Sequence, residues 1–112
     1  MPNISETELE KELMNLHTSI YEKFRYEMKY MRPPCGEISE KSLDITKRMG
    51  YKTVMWSFAY VDWEEKKQPS HEDAMDKIMS NLHNGEIMLL HATSKTNSEI
   101  MEQMIKKILE EG

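Results

Sequence analysis

The apolar residues of this chain change their period repeatedly, from helical stripes to short β-rich runs and back. That alternation constrains the fold more than any other feature. Leu9, Leu13, Leu16, Ile20 and Phe24 recur at spacings of four, three, four and four. Ser5 and Glu8 stand before them as a capping box, so a helix is expected from about Glu6 to Tyr26. A short extended piece follows at Lys29 to Met31, and then Pro33-Pro34 forces a turn. Each proline pushes the preceding residue toward extended geometry, which holds Arg32 extended at the strand end. Gly36 permits a backbone path that a side chain would resist.

Ser39 can cap a second helix bearing Leu43, Thr46 and Met49, with Gly50 at the position that favours a left-handed stop. Tyr51 to Ser57 is β-branched and aromatic and reads as a buried strand. Phe58 to Ser70 has no helical period. Ser70 caps a third helix with Asp73 in its first turn, a stripe of Ala74-Met75, Ile78-Met79 and Leu82, and a stop at Asn84-Gly85. Glu86 to Leu90 is a short apolar strand, His91 to Thr96 a loop, and a last helix runs from about Asn97. Helices alternating with strands imply right-handed βαβ units. The expected class is α/β, with about three parallel strands and four helices.

At 112 residues the chain can bury one small core, and its 38% hydrophobic and 31% charged content suits a globular protein. The net charge of -5 argues against a general nucleic-acid binder, which would show a basic patch. A single cysteine, Cys35, excludes an internal disulfide and a cysteine zinc cage. No apolar run approaches the length of a membrane span, and no signal peptide is visible. Eleven methionines, mostly at helical spacing, read as core filling.

In parallel α/β folds ligands bind beyond the carboxyl ends of the strands. Three polar residues fall there: Arg32 after the first strand, Asp62 with Trp63 after the second, His91 after the third. An arginine, a carboxylate and a histidine on one rim form a plausible acid–base group, and each alone is a weak signal. Metal ligation by this chain is not indicated. His71 and His83 are expected near opposite ends of one helix, and no His-x-x-x-His occurs.

Four motifs in order then carry a resemblance. They are Arg32-Pro33-Pro34-x-Gly36, Gly50-Tyr51-Lys52-Thr53-Val54-x-Trp56-Ser57, Tyr60-Val61-Asp62-Trp63 and Leu89-Leu90-His91-Ala92. The sequence resembles the C-terminal part of the polysaccharide deacetylases, the NodB-homology domains of carbohydrate esterase family four. The detail is most similar to the bacterial peptidoglycan muramic-acid δ-lactam N-deacetylase branch. The resemblance implies a partial (β/α) barrel of NodB-homology type spanning 1–112, and hydrolysis of the N-acetyl group of an amino sugar. It implies a divalent metal, zinc or similar, in the complete domain, with none bound by this chain alone. By the same resemblance Arg32 orients the catalytic base, Asp62 pairs with that arginine, and His91 is the general acid. Trp63, Leu89, Pro34 and Tyr60 line the substrate pocket.

Two expected motifs are absent from the sequence: Thr-Phe-Asp-Asp-Gly and His-Ser/Thr-x-x-His. In the family these supply the base and the metal ligands. The resemblance therefore implies a fragment, inactive alone, that acts on peptidoglycan or a related amino-sugar polymer only with its missing N-terminal half. Open sheet edges predict self-association or union with that half. The family is typically extracytoplasmic or wall-associated. The alternative is a non-catalytic glycan-binding or interaction module in which Trp56, Tyr60 and Trp63 stack on sugar rings. A flavodoxin-like signalling domain ranks last, since Asp62 is the only acid available for a phosphate-acceptor cluster.

Overall fold

The structure is a computed structural model and describes residues 2–112. The chain divides into two compact units, Met1–Met55 and Trp56–Gly112. Each contains one parallel strand pair joined through a helix.

In the first unit, α1 spans Glu6–Phe24. Ser5 and Glu8 satisfy each other's backbone donors at its start, as their spacing predicts. The strand β1 (Tyr30–Met31) is followed by a 3-10 turn at Pro34–Gly36, and α2 covers Glu40–Arg48. The strand β2 (Lys52–Thr53) pairs in parallel with β1, Tyr30 opposite Lys52 and Met31 opposite Thr53. Gly50, at φ 87°, closes α2: its N–H donates to Lys47 O, and Tyr51 N–H donates to Thr46 O. That is the paired arrangement of a Schellman stop. It turns the chain so that Tyr51 joins Leu9, Leu13, Met31 and Ile45 in the core.

In the second unit, β3 (Phe58–Ala59) pairs in parallel with β4 (Met88–Leu89). Between them lies α3 (His71–Ser80), and α4 (Lys95–Glu111) follows. Phe58, Tyr60, Ala74, Met75, Ile78, Ile100 and Met104 form the core.

Four sequence expectations change in detail. Tyr51 to Ser57 is not one strand: it yields β2, a break, and then β3 begins at Phe58, just past the expected strand. The division between units falls inside this run, at Met55 and Trp56. Strand propensity marks residues that fit a pleated surface and does not say which partner they pair with. The stripe of α1 is buried only at Leu9 and Leu13, while Phe24 is 69% exposed. In α2 the buried face is Ser42, Ile45 and Thr46, and Leu43 lies outside it. Finally, α3 ends at Ser80, before Asn84-Gly85, because the Asn81 side chain donates to Lys77 O and closes the last turn.

Candidate active site

Beyond β3 the chain keeps a two-residue burial period. Phe58, Tyr60 and Asp62 are buried, and Ala59, Val61 and Trp63 are exposed. Extended backbone sends alternate side chains to opposite faces. Asp62 therefore enters the interior in line with two core aromatics, Phe58 and Tyr60, whose rings stack at 6.2 Å.

A buried ionised carboxylate is tolerated only where donors replace its water. Asp62 has no exposed surface, and three donors meet it. His91 Nδ1–H donates to Oδ1 at 2.6 Å, and the His91 backbone N–H donates to Oδ2 at 2.8 Å. Asn97 Nδ2 donates to Oδ2 at 2.6 Å. Asn97 in turn accepts the Tyr60 hydroxyl on Oδ1. Burial first, and the Asp62 charge second, push the Tyr60 hydroxyl above its ordinary pKa and keep it a donor.

Three further residues hold this arrangement. Gln68 Nε2 donates to the backbone oxygens of Asp62 and Glu64, at 2.9 and 3.1 Å. Its Oε1 accepts from Ser94 Oγ and from the Thr96 N–H. Ser94 caps α4 by accepting the Asn97 N–H at 3.0 Å. The loop carrying Asp62 is thus tied to the first turn of α4, and a helix N-terminus favours negative charge.

His91 leaves β4 directly after Leu90, and its side chain is one-third exposed. With Nδ1 committed to Asp62, Nε2 is the nitrogen left for proton transfer. The Trp63 ring meets the imidazole edge-on at 5.5 Å and is itself 51% exposed. A cavity of about 460 Å³ lies alongside, lined by Leu90, His91, Ala92, Ser94, Asn97, Ser98 and Met101.

The sequence-predicted residues divide between the two units. Asp62, Trp63 and His91 come together in the second, with Leu89 half-buried on β4 two residues before His91. Tyr60 is buried within this unit, and its hydroxyl is committed to Asn97. Arg32 and Pro34 belong to the first unit. Arg32 follows β1 immediately, ahead of the buried Pro33, and the exposed Pro34 opens a turn in which Cys35 and Gly36 both have left-handed φ, 56° and 68°. The expectation that His71 and His83 share a helix fails with the earlier end of α3. His71 pairs with Glu99 at 3.0 Å, and His83 Nε2 lies 3.0 Å from Ser57 Oγ.

Asn97, Gln68 and Ser94 are not recognisable from sequence as members of this group. Ser94-x-x-Asn97 looks like an ordinary helix start, and Gln68 sits in a charged loop. Their roles depend on pairings 26 to 35 residues apart.

The chain is similar to known proteins. The polysaccharide deacetylase family profile matches residues 1–54. The peptidoglycan-N-acetylmuramic acid deacetylase PdaA of Bacillus subtilis is 42% identical over 83 residues, which is 74% of this chain. The chain belongs to the polysaccharide deacetylase family. An uncharacterised protein of Geobacillus stearothermophilus is 35% identical over the whole chain. The solved structure of Bacillus subtilis PdaA, a family 4 carbohydrate esterase, superposes with a TM-score of 0.89 at 34% identity, over 97% of this chain and 47% of that one. The expected α/β fold of NodB-homology type, with four helices and short parallel strands, is thereby shown. The chain spans 43% of the Geobacillus relative and 32% of PdaA.

Polysaccharide deacetylases of this kind are generally metal-dependent. Among the described residues no three His, Cys, Asp or Glu side chains gather closely enough to hold a metal ion. Both Asp62 oxygens already accept from His91 and Asn97. The described residues do not fit a divalent ion.

Proposed function

We propose that this chain supplies the histidine–aspartate acid group of an N-deacetylase acting on the amino sugars of peptidoglycan. The observation that carries the reading is the His91 imidazole held through Nδ1 by the fully buried Asp62 carboxylate. Hydrolysis of an N-acetyl group breaks the amide C–N bond. The carbonyl carbon takes hydroxyl from water, and the nitrogen leaves only when protonated. His91, as imidazolium, delivers that proton from Nε2. Asp62 fixes the ring and balances its charge. Trp63 and Leu89 wall the acetyl group, and Arg32, presented after β1, orients the base. The similarity to PdaA supports peptidoglycan as the substrate class. It also supports work at the cell wall. Among the described residues no helix is long and apolar enough to cross a membrane.

The test is reconstitution. This chain is mixed with the segment of PdaA that precedes the matched region, and acetate release from peptidoglycan is measured. Release that requires both pieces, and is abolished by His91→Ala, is the expected result. Folded, associated pieces that release no acetate overturn the reading.

The exposure of Trp63 supports a second reading, a glycan-binding module without chemistry. Saturable binding of N-acetylated oligosaccharide by the chain alone, lost in Trp63→Ala, together with no acetate release by the reconstituted pieces, establishes that instead.

A further inference from the structure

Asn97 is 3% exposed and stands in the first turn of α4, where nothing in the family resemblance assigns it a role. Its amide has only one consistent orientation. Asp62 faces it with carboxylate oxygen, which accepts only, so the Asn97 group on that side is the NH2. The carbonyl then faces Tyr60, and the Tyr60 hydroxyl must donate to it. Tyr60 donates to Asn97 and Asn97 to Asp62, while His91 donates to Asp62 from the other side, so the hydrogens converge on the carboxylate.

The direction matters because Asp62 Oδ2 receives two donors, and one of them is the backbone of His91 itself. The two His91 contacts come from one residue, so carboxylate and histidine can shift together. The third, from Asn97, comes from a different element and fixes the plane. Oδ1 is then aimed at Nδ1. Imidazole tautomer is set by the partner of one ring nitrogen, so the plane of Asp62 decides which nitrogen carries hydrogen.

We propose that Asn97, locked by Tyr60, is a positioning residue that sets the His91 tautomer through Asp62, leaving Nε2 to face substrate. Its link to catalysis rests on the deacetylase reading above. Its effect on the ring does not.

The test is two-bond proton–nitrogen NMR of the whole chain, labelled on histidine, at a pH where His91 is neutral and with no substrate present. Wild type shows His91 as the Nδ1–H tautomer alone. Asn97→Ala loses that single pattern, and the Nε2–H form appears beside it. Tyr60→Phe, which removes one hydroxyl and keeps the ring, shifts the populations the same way by less. Ile78→Val is the control, since it loosens the same core without touching the chain of donors, and it leaves the pattern unchanged. A folded Asn97→Ala with the wild-type pattern overturns the proposal. If Asn97→Ala does not fold, an unchanged pattern in Tyr60→Phe overturns it. Because no turnover is measured, failure of the deacetylase reading shows separately, in acetate release.

Discussion

His91 Nδ1–H donates to Asp62 Oδ1 at 2.6 Å, and the same histidine's backbone N–H donates to Oδ2 at 2.8 Å. One residue of the β4 exit thus occupies both oxygens of a carboxylate delivered by the β3 exit. Ring and backbone are fixed together, so the imidazole cannot turn without losing a partner for a buried charge.

Asp62→Asn keeps the shape and removes the charge. An amide offers one acceptor where the carboxylate meets three donors, so one donor faces another. The expected loss is about 1–3 kcal/mol, the cost of a buried group left unpaired. Both tryptophans, Trp56 and Trp63, lie in the second unit, so their fluorescence in urea reads its stability directly. In the reconstituted enzyme the same variant loses roughly 10²–10⁴ in rate, the scale of general acid catalysis. An unchanged rate removes Asp62 from the mechanism.

Ile78 has no exposed surface, and Leu109, also on an apolar helix stripe, is 74% exposed. Ile78→Ala is expected to cost about 2–5 kcal/mol, through lost burial and the cavity it leaves. Leu109→Ala is expected to stay within about 0.5 kcal/mol of wild type. Urea midpoints followed by tryptophan fluorescence separate the two. Equal midpoints would mean that the core is not where the structure puts it.

Gly50 has φ 87°, and nothing lies within 4 Å of the Cβ that alanine would add. Gly50→Ala therefore meets no clash, only the penalty of a left-handed residue, about 1–2 kcal/mol. Amide exchange in α2 and β2 reports it, because the Schellman bonds of Gly50 and Tyr51 join those elements. Exchange rates left unchanged would show that the stop of α2 does not depend on the glycine.

Tyr60 titrates above its ordinary range in the folded state, mainly through burial and further through the Asp62 charge. Tyr51 is raised by burial alone. The sign follows from which state releases its proton first. Below the unfolded tyrosine pKa of about 10 both states are neutral, and the contribution is fully present. As pH rises past it, the unfolded chain ionises while the folded hydroxyls do not, and stability falls until the folded values are passed. Urea midpoints between neutral and strongly alkaline pH are expected to decline, and Tyr60→Phe to flatten the decline in the second unit. A decline of the same slope in that variant assigns the effect elsewhere.

Much of this protein could be read along the chain. Ser5 with Glu8, Ser39, Ser70 and Gly50 act over three or four residues, so local chemistry settles the helix ends they mark. Ala74, Met75 and Ile78 repeat at helical spacing, and the burial of their stripe follows. Arg32, Asp62 and His91 stand just beyond strands β1, β3 and β4, which sequence order and parallel topology already indicate. What sequence could not decide depends on partners far away in the chain. The run from Tyr51 to Ala59 serves two strand pairs, because β1 claims its start and β4 claims its end. Leu16 and Phe24 belong to the same stripe as Leu9 and Leu13 and stay exposed, because a periodic pattern defines a face without supplying what covers it. Asn97 looks like any polar residue in a first helical turn. Only tertiary structure brings it to a carboxylate 35 residues earlier, where a buried charge needs a third donor.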